Sequence, residues 1–417
     1  MTAAKRFAAE LDDLLTPERL ARGDAATRFL GTVPPRGAAP VVASPGTTSE
    51  VERVLALARA SRFPVFVAGT SGRGVDWRRL PKGVSLVLDV ARLDAMLVLD
   101  ETSLTVTTQS GIGVATLERA LVKRGYTLGF HLGGFAERVS VGGILATGLP
   151  PLGSPLRGTP SEHVVGLGWV LPDGTRVRGK LTPRSATGPD PDALVLGARG
   201  ALGVITEATL RIHRASEDRQ LIGYGFRTLA DAVRALAALV DRGIAPTSAG
   251  IWPAGAGAKR GARLAAQFGG SASWTKAMIG AAKKLLKELG ARLDPKPDES
   301  WFAHADAAAA RVGGDADPIW AYGTWTALAR AVAAEPLASA NAAFGLPSFD
   351  RHGGFAVAAT GTGAEARADA LVKAGCRLLS GPTAIAEPLD DAARRLLRAL
   401  KAELDPDDLF NPGTLRG

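Results

Sequence analysis

The stretch Val65-Phe-Val-Ala-Gly-Thr-Ser-Gly-Arg-Gly74 decides the fold. The apolar residues after Pro64 read as a short buried strand, and Gly69 to Gly74 reads as a loop whose small residues let backbone N–H groups converge. Such a nest can take a pyrophosphate or be a plain surface turn; the loop alone leaves both open. It matches neither G-x-x-x-x-G-K-[ST] nor a G-x-G-x-x-G that opens a helix, which disfavours P-loop nucleotidases and the Rossmann fingerprint. On its N-terminal side lie an apolar run at Pro40 to Ala43 and a helix that starts at the cap candidates Thr47, Thr48 and Ser49. The helix carries Val51, Val54, Leu55 and Ala58 at helical spacing. On its C-terminal side comes another apolar run, Val84 to Asp89. Strand, helix, strand, glycine loop, strand is an α/β unit with a crossover helix.

The chain has 417 residues, 46% apolar and 22% charged, which is ordinary usage for a globular protein of two or three domains. Net charge is +9 and the pI near 9.9, a balance that favours anionic partners without naming one. No basic cluster interleaves with aromatics, so nucleic acid is not expected as a partner. The single cysteine, Cys376, excludes an internal disulfide framework and any site built from several thiolates, which fits a reducing, cytoplasmic location. The N-terminus reads as an amphipathic helix and not a secretory signal. The longest uncharged stretch, Val139 to Leu156, holds too many Gly and Pro residues for a membrane-spanning helix, which leaves at most peripheral membrane association.

Farther along, Ala95 to Asp100 and Ser103 to Gln109 alternate as strands, Val114 to Arg124 reads as a helix, and Gly125 to Gly158 is rich in Gly and Pro. Leu167 to Arg178 is a hairpin about Asp173-Gly174, and Gly203 to Ile212 is another strand. Beyond the hydrophilic joint at Ala215 to Arg219, strands and helices alternate: strands at Leu221 to Phe226, Thr247 to Trp252, Arg263 to Phe268 and Gly354 to Ala359, helices at Leu229 to Arg242 and Trp274 to Leu289. Between Gly313 and Phe349 the pattern breaks, and no internal repeat is evident. The expected divisions are an N-terminal helix at 1–30, a two-lobed domain at 31–214, a smaller domain at 215–388 and a C-terminal segment at 389–417.

Two further small-residue stretches, Ser140-Val-Gly-Gly-Ile-Leu-Ala-Thr-Gly148 and Gly197-Ala-Arg-Gly-Ala-Leu-Gly203, join the glycine loop. A long, flat, phosphate-bearing cofactor crossing the domain would explain all three; close approach of neighbouring strands would explain each singly. With Thr105-Val-Thr-Thr-Gln-Ser-Gly111, Arg157 to Gly166, Ala186-Thr-Gly-Pro-Asp190, Leu196 to Glu207 and Leu404-Asp-Pro-Asp-Asp-Leu-Phe-Asn-Pro-Gly413, the ordered set resembles the flavin-binding fold of the vanillyl-alcohol oxidase superfamily, PCMH type. Within it, the FAD subunits of glycolate oxidase, D-lactate dehydrogenases and alkylglycerone-phosphate synthases are most alike. The resemblance covers about residues 40 to 214 and the tail. It implies an α+β protein with a two-lobed PCMH-type FAD-binding domain, a smaller α+β (ferredoxin-like) cap and a C-terminal segment that returns to the FAD domain. It also implies FAD as cofactor. Gly69, Thr70, Ser71 and Gly72 would meet the pyrophosphate, Ser140, Val141, Gly142 and Thr147 would line the flavin and ribityl chain, and Gly203, Val204 and Ile205 would give main-chain contacts.

The sequence also departs from that pattern. The glycine loop has no histidine for a covalent link, so non-covalent FAD is expected. Arg199 and Ala201 stand where relatives carry an acid and a threonine, so local hydrogen bonding must differ. The cap lacks the H-x-H and H-G-D-G-N cluster of metal-dependent relatives, and no metal is expected. His131 is a candidate general base or a bonded loop histidine, and Arg184 a cation beside the flavin or a solvated loop residue. Trp320, Tyr322 and Trp325 are an aromatic wall or ordinary packing, and Asn411 fixes the terminal turn or contacts substrate, the turn being the better reading. The resemblance implies hydride transfer from a small 2-hydroxy acid of the glycolate or D-lactate type to FAD. The missing metal-ligand cluster favours an accessory subunit with partner dehydrogenase or electron-transfer subunits. An alkylglycerone-phosphate synthase-like transferase and a non-catalytic FAD-binding subunit are the alternatives.

Overall fold

The computed structural model describes residues 2–69, 80–130, 136–148, 158–181, 188–244, 246–253, 261–294, 319–334, 337, 344–349, 352–358, 363–380 and 390–414. In the first lobe the expected α/β unit is present. Strands β1 (Leu20–Ala21), β2 (Ala38–Ala43), β3 (Val65–Ala68) and β4 (Gly83–Asp89) form a sheet in the order β1-β2-β4-β3. The pairs β2–β4 and β3–β4 are parallel, as the crossover helix requires, and β1 is antiparallel to β2. Leu86, Val87 and Leu88 are all buried because both faces of the sheet are covered. On one face lie helices α1 (Ala3–Leu14) and α3 (Thr48–Ala60), through Phe7, Leu11, Val51, Val54 and Leu55; on the other lies α2 (Asp24–Leu30), through Ala26 and Leu30. The first thirty residues are therefore a working part of this lobe. The sequence reading set them apart because a two-residue edge strand carries no periodicity.

The second lobe is antiparallel. Its strands β5 (Met96–Asp100), β6 (Thr105–Gln109), β8 (Val164–Val170), β9 (Arg176–Arg178) and β10 (Val204–Arg211) take the order β5-β6-β10-β8-β9. A separate ribbon joins β7 (Tyr126–Thr127) to β11 (His213–Arg214). Against the main sheet pack α4 (Val114–Val122) and α5 (Val141–Thr147). Gly174, at φ +89°, makes the Asp-Gly hairpin turn between β8 and β9. Val170 and Val204, at the ends of neighbouring strands, bury themselves in the first lobe's core and so lock the lobes together.

The cap departs most from the sequence reading. One unit runs β12 (Asp218–Phe226), α6 (Leu229–Asp241), β13 (Ser248–Pro253), β14 (Ala262–Gly270), α7 (Ala272–Glu288) and β15 (Arg292–Asp294), in the sheet order β15-β12-β14-β13. A second unit repeats it: β16 (Ile319–Thr324), a helix at Trp325–Ala331, β17 (Phe344–Phe349), β18 (Gly353–Ala358), a helix at Ala364–Lys373 and β19 (Arg377–Ser380), in the order β17-β18-β16-β19. The two meet at β13 and β17, where Ile251 opposes Leu346, giving one continuous antiparallel sheet. The expected ferredoxin-like unit thus occurs twice. All four helices pack on one face, over Ile222, Tyr224, Phe226, Leu264, Ile319, Ala321 and Ala356.

Cys376 lies in this helical layer, and burial pushes its thiol up to about 11. At pH 8 the folded protein should therefore resist a thiol-specific reagent and take up one equivalent only when unfolded. Stoichiometric labelling of the native protein within minutes would contradict this packing.

Candidate functional site

The glycine loop leaves β3 at the carboxyl end of the parallel strands, where open α/β sheets place their ligands. Ala68, the last residue of β3, stands in register with Asp89 at the same end of β4. The Asp89 carboxylate accepts from Ser44 Oγ at 2.8 Å and from Ala91 N–H at 3.0 Å; burial nevertheless raises its pKa above the ordinary range, the two bonds and Arg92 pulling back only part of the way.

Among the described residues, the structure brings Gly69 and the other two small-residue stretches together. A side chain on Gly69 would approach Ser140 Oγ at 3.2 Å, so the first residue of the glycine loop faces the start of the second stretch. That second stretch is a helix, α5, which sequence reading treated only as a run with little side-chain bulk. Ser140 caps it by accepting Gly143 N–H at 3.1 Å, and Gly148, at φ +63°, closes it. The third stretch then grips the end of α5: Gly197 N–H donates to Leu145 O at 2.9 Å and Arg199 N–H to Ala146 O at 2.7 Å.

The individual residues divide. Val141 and Gly142 are buried, and Gly142 N–H donates to Ser110 O at 2.6 Å. A Cβ on Gly142 would stand 2.7 Å from Ser110 Cβ, and one on Gly203 would stand 2.7 Å from the Trp169 ring. Close packing thus accounts for both of these glycines. Thr147 turns its hydroxyl back to Gly143 O at 2.7 Å. Val204 and Ile205 bury their side chains, and their main chain runs past the end of β6, whose ladder with β10 starts at Glu207. Thr70, Ser71, Gly72, His131 and Arg184 lie outside the described residues.

Two residues do more than their sequence context suggested. Asn411, expected to fix the terminal turn, accepts Val67 N–H at 2.9 Å through Oδ1 and donates through Nδ2 to Gly200 O at 2.9 Å and Arg199 O at 3.2 Å. Lys401, which sequence reading did not single out, is buried and donates to Ala201 O at 2.9 Å. The signal for both was the terminal turn itself: a segment that returns to the domain must bond to something there.

In the cap, strand alternation puts Ile319 and Ala321 toward the helices and Tyr322 on the opposite face, while the Trp320 side chain lies outside the described residues. Trp325 belongs to neither face, since it opens the following helix and packs against the helical core. Arg263 and Arg377 share the open face with Tyr322, which stands in register with Arg377, and Trp252 lies beside Arg263 across β13 and β14. Gly250 leaves room for the Trp252 ring, which comes within 1.9 Å of where its Cβ would be. Among the described residues there is no group of three or more His, Cys, Asp or Glu side chains placed to hold a metal ion, and no helix long and apolar enough to cross a membrane.

Gly69, α5 and the 197–203 loop lie side by side, and small residues of the kind found there let main chain approach an extended dinucleotide. Comparison with known proteins points the same way. Residues 39–180 match the model of an FAD-binding domain family. The chain is 32% identical over 211 residues to the uncharacterized FAD-linked oxidoreductase YgcU of Escherichia coli, covering 50% of this chain and 43% of that one. It is 29% identical over 208 residues to the mitochondrial D-lactate dehydrogenase [cytochrome] 1 of Saccharomyces cerevisiae, covering 49% and 35%. The matched part thus spans less than half the length of these curated relatives. Among solved structures, alkyldihydroxyacetonephosphate synthase superposes with a TM-score of 0.75 at 20% identity over 98% of this chain and 84% of that one. p-Cresol methylhydroxylase superposes with a TM-score of 0.76 at 14% identity over 99% and 96%. The chain therefore carries a region that matches an FAD-binding domain family at residues 39–180, within a fold shared with alkyldihydroxyacetonephosphate synthase and p-cresol methylhydroxylase.

Proposed function

We propose that this chain is an FAD-dependent oxidoreductase that takes a hydride from a small 2-hydroxy acid of the glycolate or D-lactate type, holds FAD without a covalent bond, and works beside a partner dehydrogenase or electron-transfer subunit. The observation that carries the reading is the FAD-binding domain match at residues 39–180, with a D-lactate dehydrogenase among the relatives. Bound FAD supplies the hydride acceptor. The chain supplies position and charge. Main chain of Gly69, of Ser140 to Gly142 and of Gly203 to Ile205 is assigned to the cofactor, and the net charge of +9 favours recruitment of a dianion. On the face of the cap sheet away from the helices, Arg377, in register with Tyr322, is assigned to a substrate carboxylate. His131 is assigned the hydroxyl proton, and Arg184 the charge that accumulates beside the ring.

Protein loaded with FAD and freed of excess cofactor should be yellow, and acid precipitation should release the flavin into the supernatant. Anaerobic titration with glycolate and with D-lactate is expected to bleach the flavin's visible band with one of them. A band that persists through a panel of 2-hydroxy acids, with and without a membrane electron-transfer fraction, would overturn the substrate class.

A further inference from the structure

We infer that the C-terminal tail is the clasp that holds the FAD-binding stretches in register, with Asn411 as its positioning residue. The tail reaches the domain as a short strand addition beside β3: Val65 N–H donates to Leu409 O and Asn411 N–H donates to Val65 O, each at 2.7 Å. These bonds dock the tail on the strand that feeds the glycine loop. The Asn411 side chain then bridges two segments distant in sequence. Its oxygen takes Val67 N–H, two residues before Gly69, and its nitrogen reaches the carbonyls of Arg199 and Gly200.

The bridged loop is one that cannot set its own shape cheaply. Arg199 has φ +51° and Gly200 φ +72°, and a residue other than glycine at positive φ is held there only by its surroundings. The carbonyls that Asn411 captures belong to these two residues. The N–H groups of Gly197 and of Arg199 itself in turn fix the end of α5, whose start faces Gly69. Asn411 itself takes φ +42°, a conformation asparagine tolerates better than most residues. One buried amide thus connects the first small-residue stretch to the third, and through the third to the second. A Cβ on Gly200 would lie 2.5 Å from Asn411 Nδ2, so the glycine at position 200 is what lets the amide in.

The inference rests on FAD binding by this domain and not on the hydroxy-acid reading, so the test uses no substrate. FAD dissociation constants and melting curves of the apoprotein are measured for the full chain and for three variants. Asn411→Ala is expected to raise the FAD dissociation constant at least tenfold at a temperature where the apoprotein is folded by far-UV circular dichroism. Phe410→Leu loosens the same tail by removing buried apolar contact but leaves in place the Asn411 amide that bonds Arg199 and Gly200. It should lower the apoprotein Tm yet hold the FAD dissociation constant within twofold of wild type. If Asn411→Ala does not fold, Asn411→Asp carries the test: it keeps the acceptor for Val67 N–H, sets an oxygen against the two carbonyls, and should weaken FAD at least tenfold. An Asn411 variant that binds FAD within twofold of wild type would overturn the clasp. So would a Phe410→Leu protein that loses affinity as far as Asn411→Ala does, because the tail would then act through stability alone.

Discussion

Gly111→Ala is expected to destabilise the protein by about 3 kcal/mol and to lower its Tm by roughly 6–12 °C, an overpacking cost at the upper end of the usual range. The reason is local and steric. Gly111 follows β6, and its N–H donates to Leu93 O at 2.7 Å in the turn that leads out of β4 and joins the two lobes. A methyl group there would lie 2.1 Å from Val90 O, 2.8 Å from Leu93 O and 3.1 Å from the Ala91 carbonyl carbon. All three are backbone atoms of a turn that buries Leu93 completely, so no side chain can swing aside to make room. The displacement passes to the cofactor surface through the adjacent residue, because Ser110 O accepts Gly142 N–H in α5. Loss of FAD should therefore accompany the loss of stability. Gly280→Ala is the matched control: Gly280 lies inside α7 with nothing within 4 Å of its missing Cβ, and the same methyl group should stabilise by about 0.5–1 kcal/mol. Thermal melts of both variants with and without FAD decide the matter. A Gly111→Ala protein that melts within about 2 °C of wild type would mean that the turn between the lobes yields more easily than backbone packing allows.

The first lobe was legible because its signals are local and redundant. The apolar runs at 40–43, 65–68 and 84–89 are bounded by Pro, Gly and a capped helix, and a buried parallel sheet permits little else. The cap was legible in its first half and, of the second, only in the strand Gly353–Ala358. The second unit builds its inner face from Ala321, Ala327, Ala331, Ala356, Ala364 and Ala368, residues that favour helix or nothing in particular. Strand β16 therefore dissolved into a stretch that seemed merely broken, and the duplication went unseen: it repeats topology and not sequence. The cofactor site shows the same division. That three small-residue stretches lie in one domain could be read from their composition and order, and among the described residues Gly69, α5 and the 197–203 loop do meet. Which glycines serve a ligand and which serve packing could not be read, because Gly142 answers to Ser110 and Gly203 to Trp169, partners 32 and 34 residues away. Arg199 and Ala201, which stood out as departures, sit in the loop whose carbonyls Asn411 and Lys401 hold, a solution that depends on a segment some 200 residues later.

Lys401→Met should cost about 3–5 kcal/mol, the range for removing one partner of a buried ion pair. Lys401 is 8% exposed and Asp405 6%, with Nζ to Oδ2 at 2.7 Å one turn apart at the end of the helix Asp391–Leu404. The ammonium also donates to Ala201 O at 2.9 Å and Phe410 O at 2.5 Å. Methionine fills much of the stem's volume but none of these bonds, so two carbonyls lose a donor and the Asp405 carboxylate keeps its charge without the cation. That carboxylate still accepts Leu409 N–H at 3.1 Å and Phe410 N–H at 2.8 Å, which holds the turn together and makes the charge itself the main cost. Adding Asp405→Asn to Lys401→Met should therefore restore part of the loss, about 1–2 kcal/mol, whereas Asp405→Asn alone should destabilise because it leaves the buried ammonium with only Asp408, 3.9 Å away, as counter-charge. Urea unfolding of the wild type, both single variants and the double variant closes the cycle. A Lys401→Met loss below about 1 kcal/mol, the range of an exposed pair, would show that the tail's hold on the domain lies elsewhere: in the Phe410 ring and the β3 pairing, and not in this ion pair.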